Sequence, residues 1–517
     1  MSGCLGLAVA CSSGTGGNGG PESDRAGGSS GSNSSGGSKG GSSGGSSSDG
    51  GKSGSGSGGS STSSGSSGGS SGSSDGGKSG GSDNGGSSGG SDNGGKSGGS
   101  DNGGSTGSAM DGGSASGGSS GSTPMGDGGG GKTGDCKFTG ITAMPSPKMG
   151  TVGIVTWGTD LAGMTEAHID FGLDTQYGYT APVDLKEPMY KTLLVGMKPS
   201  KMYHYQIVAK GPSGSCSSGD QTIMTGTVSG GKVNVSPAPS AASGWNFFLY
   251  SHYYGSGAQI IDKDGDTVWS WPSPGECSGA RMSWDGKYVW LNSDNYQGGS
   301  STVHLVSIDG MTDQNLSGKF PNANHMLGPT PDGVVFVAGT SGPIREYKLA
   351  DGSTREITTT QKLGIGGNHQ NNITYNETDD TIVLSDLDST TITKFKRADG
   401  MKVWQINTGG PHHGLHSWFE MDKSEHLLFY SNPSTAIEYV ITGGKGMQVW
   451  SGKSPGSTSV MGDVQRLPNG NTIIAASPGK NAVEVDKAGK TVRSLPVGST
   501  GFTEARLSMY GPPPLSR

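Results

Sequence analysis

A glycine returns at nearly constant intervals through the C-terminal half of the chain, and that period limits the possible folds more than any other feature. Gly265, Gly310, Gly352, Gly400, Gly446 and Gly489 are separated by 45, 42, 48, 46 and 43 residues. Their surroundings repeat as well: Asp264-Gly265-Asp266-Thr267-Val268-Trp269 is echoed by Asp399-Gly400-Met401-Lys402-Val403-Trp404. A period of this length, with four short alternating strands in each unit, describes blades arranged in a ring. The glycines supply the positive φ that tight hairpins need, and the recurring tryptophan or aliphatic residue fills the gap between neighbouring blades. The first unit begins one strand short, at Phe247-Phe248-Leu249-Tyr250, and the last is followed by an extra strand over 504–510. Joined, these would close the circle and remove the open sheet edge.

The predicted fold class is all-β: a six-bladed β-propeller over 231–517, a small β-sandwich over 136–230, and a long disordered Gly/Ser-rich segment over 12–135. Composition explains the last part. The chain has 517 residues, 101 of them glycine, and only 29% are hydrophobic, too few for one compact globule. The excess glycine lies in 12–135, a tract with no aromatic residue, which cannot bury enough apolar surface to offset chain entropy. As a flexible tether it would span about 60 Å root-mean-square.

Residues 1–11 read as a truncated export signal. Gly6-Leu7-Ala8-Val9-Ala10-Cys11-Ser12-Ser13 resembles a bacterial lipoprotein processing site, with Cys11 as the lipidated residue. The chain is therefore expected to be exported, as a cell-envelope lipoprotein or an extracellular protein. Contact with membrane is expected only through that lipid, because no apolar stretch reaches transmembrane length. A net charge of −7 with no basic stripe argues against nucleic acid as a partner. In an oxidising compartment two cysteines of the folded part can pair, and Cys136 with Cys216 would staple the sandwich.

Within 136–230, short alternating strands such as 152–157 and 203–208 are separated by Gly/Pro/Ser turns. Trp157 serves as a plug between sheets, and Tyr203, after Met197-Lys198-Pro199, as a corner tyrosine. The segment resembles a fibronectin type III domain.

Three histidines carry the functional reading. His325, His369 and His416 lie 44 and 47 residues apart, each read as standing at the start of the innermost strand of its unit. Innermost strands line the channel, so the three imidazoles are expected to converge at one mouth. Asn371 would share a face with His369, and Trp418 with His416. His412 and His413 are read as loop or rim residues, and Tyr253, Tyr254 and Trp418 as core between blades.

His369-Gln370-Asn371-Asn372-Ile373, Gly414-Leu415-His416, Gly462-Asp463-Val464-Gln465-Arg466-Leu467-Pro468-Asn469-Gly470-Asn471-Thr472-Ile473 and Glu504-Ala505-Arg506 together resemble the bacterial arylsulfate sulfotransferases. The resemblance covers about 245–510. It implies a six-bladed propeller that moves a sulfuryl group from a small aromatic sulfate donor to a phenolic acceptor, without a cofactor. It further implies that His416 is the nucleophile, with His369 and His325 holding the sulfate oxygens and assisting proton movement. A neutral imidazole is a good nucleophile near neutral pH, and preorganised donors stabilise sulfuryl charge. Where that family has a clamping arginine this chain has Leu387, between Asp386 and Asp388, which leaves Arg281 or Arg506 to take the role. Metal binding by the histidines with Asp386 and Asp388 is the lesser reading, and the site is assigned no metal. The alternative function is a non-catalytic extracellular propeller that binds a ligand or partner protein.

Overall fold

The computed structural model describes residues 136–237, 244–253, 255–293, 301–477 and 481–513. The expectations for Cys11 and for 12–135 concern residues outside that set, as does Tyr254.

Alternating burial builds the first part. In Met202–Gly211 the even-spaced Tyr203, Tyr205, Ile207 and Ala209 are buried while their neighbours face outward. That strand anchors a five-stranded sheet, and Phe138–Pro145, Gly153–Thr159 and Thr192–Leu194 form a three-stranded sheet opposite it. Trp157 sits between them, 2% exposed, against Phe138 and Tyr190. The Tyr203 hydroxyl accepts the backbone N–H of Lys198 at 2.9 Å, pinning the corner. A disulfide joins Cys136 to Cys216; Cys277 is buried in the propeller.

From 247 onward the described residues form six four-stranded antiparallel sheets. Five follow the chain from inside out, with inner strands Gly279–Met282, Gly328–Thr330, Gln370–Asn376, His412–Phe419 and Asp463–Arg466. The first blade is composite: Phe247–His252, Ser256–Asp262 and Thr267–Glu276 receive Thr500–Arg506 as their innermost strand. Arg506 pairs with Phe247, Thr503 with Tyr250 and Thr500 with His252. Each inner strand lies against the next around the axis, so the ring is closed.

Tryptophans on outer strands tie three of the blades to their neighbours. Trp269 donates to the Ile308 carbonyl at 3.1 Å, Trp404 to the Glu425 carboxylate at 3.1 Å, and Trp450 to the Lys487 carbonyl at 2.9 Å. Five of the repeating glycines have φ between 66° and 83°, as outer hairpins demand. Gly446 is the exception: it lies within Lys445–Lys453, and the fifth hairpin turns instead on Gly443 and Gly444, at φ 57° and 76°.

All inner strands run the same way, which gives the ring a face where they begin and a face where they end. The sandwich docks on the second face, over the first two blades. Lys198 reaches Asp262, Asp264 and Asp266 at 2.8, 2.8 and 2.5 Å. Thr151 donates to the Val268 carbonyl and Ser146 to that of Asp309, both at 2.6 Å. After the closing strand, Tyr510 inserts its hydroxyl between the Leu193 carbonyl and the Val195 N–H, each 2.9 Å away.

Two outcomes follow from this closure and docking. A chain lacking its last fifteen residues loses half of the closing strand, and its cooperative thermal transition, followed by circular dichroism, should disappear. Lys198→Met leaves three carboxylates facing one another, Asp262 buried among them, and should lower stability by about 2–3 kcal/mol in urea unfolding.

Candidate functional site

The ring axis carries two groups of side chains, one at each face. At the end face a partly open pocket of about 160 Å³ lies between the inner strands. Arg281, His416, Gln465, Thr503 and Glu504 supply its polar wall; Trp284, Tyr375, Trp418 and Phe419 supply aromatic surface. An apolar cavity of about 150 Å³ accepts a benzene ring, so the space suits one aromatic ring with a small polar head. Trp284 and Tyr375 pack edge to face in its wall, centroids 5.5 Å apart. This places Trp418 in the lining as well as among the packed rings of the fifth blade.

His416 comes from the middle of His412–Phe419, not from its start. Its Nδ1 accepts the backbone N–H of Arg466 at 3.1 Å. An N–H must donate, so the neutral ring carries its proton on Nε2. Burial, with the Arg466 and Arg281 cations, depresses its pKa to about 3 against the opposing Glu438. Trp418 lies 5.3 Å from the imidazole, centroid to centroid.

Arg466 stands behind this pair. Its guanidinium binds Glu438 and the Gly470 carbonyl (2.9 Å), and lies 4.8 Å over the Trp450 ring. Glu438 also takes Nδ1 of His426 at 2.7 Å. These groups brace His416 and leave its ring little freedom to turn.

Arg281 belongs to the second blade, diametrically opposite the fifth. It donates to the Thr503 carbonyl at 2.8 Å and to Asp463 at 3.3 Å, bridging three blades. Asp463 is fully enclosed, and burial raises its pKa although Arg281 works against that. Gly414 makes the crossing possible: a Cβ there would lie 2.0 Å from Oδ1 of Asp463.

The start face holds a separate group. Nε2 of His325 and Nε2 of His369 are 3.0 Å apart, their rings inclined by 23°. His413 completes the group, 4% exposed, its Nδ1 against Oδ1 of Asn432 at 2.5 Å. Burial chiefly, and the neighbouring His325, His369 and His412, drive the His413 pKa down to about 3. His412, also buried, is depressed to about 4.

Several sequence expectations are corrected here. The three expected histidines do not share a mouth: His325 and His369 meet where inner strands begin, whereas His416 lines the cavity where they end. The cause is position along the strand: the inner strand of the fifth blade begins at His412, so His416 stands four residues further on, past a β-bulge between His412 and Leu415. His412 and His413 are buried strand residues, not rim residues. A matching bulge between Gln370 and Ile373 turns Asn371 away from the cavity, and its amide donates to the His412 carbonyl at 3.0 Å.

Arg506 is 1% exposed and is held by the Gly511 carbonyl and Glu504, so it makes no cavity contact. Arg281 does line the cavity beside His416. Asp386 is spent on structure: it accepts Gln370 Nε2 at 2.5 Å and Ser389 at 2.6 Å, while Asp388 caps Asn368. Among the described residues, the close cluster of potential metal ligands is Asp262, Asp264 and Asp266, where Lys198 already sits.

His413 had a signal in the sequence. From His325 to His369 and from His369 to His413 the spacing is 44 residues both times, a more regular series than one that ends at His416.

No protein-family model matches the chain, and no curated protein matches it. Solved structures similar to it are distant in sequence. A protein of unknown function from Bacteroides caccae is 16% identical, covers 50% of this chain and 98% of its own, and gives a TM-score of 0.38. A functionally unknown protein from Desulfotomaculum acetoxidans is 12% identical over 58% of this chain and 95% of its own, at 0.39. The Cps50 (Swd1) β-propeller domain of Myceliophteria thermophila is 8% identical over 53% and 91%, at 0.35. The class is set by the sheets themselves: this is a multi-bladed β-propeller protein with a β-sandwich docked on one face.

The buried histidines make stability pH-dependent. Above about pH 6.5 they are neutral whether the chain is folded or unfolded. Below it the unfolded chain takes up protons that folded His412, His413 and His416 refuse until about pH 3–4. Stability should therefore fall on acidification through that window, by up to about 1.4 kcal/mol per pH unit for each ring. Melting temperatures between pH 7 and pH 4.5 test this, and His413→Gln should flatten the dependence.

Proposed function

We propose that the chain is an exported propeller whose end-face cavity takes one small aromatic anion of the aryl sulfate or phenolate class. The supporting observation is the pairing of two fixed donors with aromatic walls: His416 Nε2–H on one side of the axis and the Arg281 guanidinium on the other. The ring of the ligand would lie among Trp284, Tyr375 and Trp418, and its charged head between the two donors. The Cys136–Cys216 disulfide supports an oxidising compartment and hence export.

Sulfuryl transfer to a phenol is a second reading. The depressed pKa of His416 favours it, since the ring is unprotonated overall at neutral pH, and so does the motif order of the propeller. Attack would need a lone pair on the cavity-facing nitrogen. The Arg466 N–H instead occupies Nδ1 and holds the proton on Nε2, so the ring as placed donates a hydrogen bond. The His325–His369 pair, at the other face, is out of position to hold the same sulfuryl group. Retention of a ligand therefore has the stronger support.

Titration of the protein with p-nitrophenyl sulfate, read by tryptophan fluorescence, should show saturable binding. Arg281→Ala and His416→Ala should each weaken it about tenfold or more. Release of p-nitrophenol in the presence of phenol, abolished by His416→Ala and accompanied by a sulfated histidine in the intact-protein mass, would establish transfer instead. Failure of the wild-type protein to bind would remove both readings.

A further inference from the structure

We propose that His325, His369 and His413 form a three-imidazole site for a copper or zinc ion at the face where the inner strands begin. The three residues come from the third, fourth and fifth blades at one constant spacing of 44 residues, so the ring brings one imidazole from each to the channel mouth.

The first two rings already have the spacing of ligands. At metal–nitrogen bonds of 2.0–2.1 Å, neighbouring ligands on one ion stand roughly 2.9–3.4 Å apart. The two Nε2 atoms are separated by 3.0 Å. Two imidazoles that close can otherwise coexist only by sharing a proton along that line.

The third ring is oriented as metal-binding histidines usually are, with its far nitrogen donating to a fixed acceptor. The Asn432 amide nitrogen donates to the Thr458 carbonyl at 2.9 Å, which fixes its oxygen towards His413. Nδ1–H of His413 therefore donates to that oxygen, and Nε2 keeps its lone pair. The other two histidines are held through their backbones. His325 sits at φ 30°, a left-handed backbone uncommon for a residue with a side chain, and its carbonyl takes Asn292 Nδ2 at 2.9 Å. The backbone N–H of His369 donates to buried Asp386 at 3.3 Å.

Three neutral nitrogen donors without thiolate or carboxylate suit Cu(II) and Zn(II) better than Mg(II) or Ca(II). Because the three ring nitrogens are not yet gathered as tightly as the Asp262 group, His413 closes on the preformed pair when the ion enters.

The full chain, freed of metal by chelator and dialysis, would be titrated calorimetrically with Zn(II) and separately with Cu(II). One ion per chain is expected, and the Cu(II) form should show imidazole nitrogen coupling in its electron paramagnetic resonance spectrum. His369→Ala and His413→Ala should each weaken binding at least about 100-fold, and Asn432→Ala about tenfold by freeing the His413 ring. His168→Ala, in the sandwich, should leave it unchanged, and circular dichroism melting would confirm that each variant is folded. Should a histidine variant fail to fold, the Asn432→Ala titration and the wild-type Cu(II) spectrum decide the matter. Absence of stoichiometric binding, a copper spectrum without imidazole coupling, or affinity that survives both histidine substitutions would overturn the site and leave a hydrogen-bonded imidazole pair.

Discussion

The pairing of Thr500–Arg506 with Phe247–His252 is the contact on which the rest of the molecule depends. It joins segments about 250 residues apart in sequence and turns an open row of blades into a ring. Such a long-range contact is entropically costly to form, yet it covers the exposed inner edge of the first blade. Every axial feature inherits its geometry from that closure. Arg281, for example, reaches Thr503 of the closing strand and Asp463 of the sixth blade, so its position is defined only in the finished ring.

Several charged groups inside the ring are enclosed where a partner from another strand meets them. Arg466 has Glu438, Lys394 has Glu425 at 2.5 Å, and Arg397 has Glu346 at 2.6 Å. Buried pairs of this kind cost desolvation and fix geometry more than they add stability. In the fifth blade the geometry so fixed is that of His416. Glu438 orients Arg466, and the Arg466 backbone in turn assigns the tautomer of the histidine. A group two contacts away thus helps decide whether the cavity sees a donor or a nucleophile.

Much of the architecture was legible in the sequence because period is a property of spacing. The glycine series marked five of the six outer hairpins at the residue, and the short first unit with its late partner strand anticipated the closure. Gly446 misled because Gly443 and Gly444, a few residues earlier, meet the need for positive φ. The site was less legible because neither the first residue of a strand nor a bulge leaves a distinctive mark. Spacing puts His416 at a strand start, beside His369, whereas the strand begins four residues earlier at His412. Asn371 sits within a bulge one blade earlier, and its amide is taken by the His412 carbonyl. Arg506 failed differently: it stands on the right strand but at its last residue, where the chain turns back over it and the Gly511 carbonyl takes the guanidinium.

The direction shared by the inner strands has a consequence for how such a molecule can change. Residues that furnish the aromatic cavity sit at the finishing ends of these strands and in the hairpins that follow, among them Trp284 and Phe419. Those around the paired imidazoles sit at the beginnings and in the loops of the opposite side, such as Asn432. Few side chains belong to both sets. Each end of the bore can therefore be rewritten by local substitution while the pleated walls between them stay as they are, so one wheel can acquire or lose two chemistries independently.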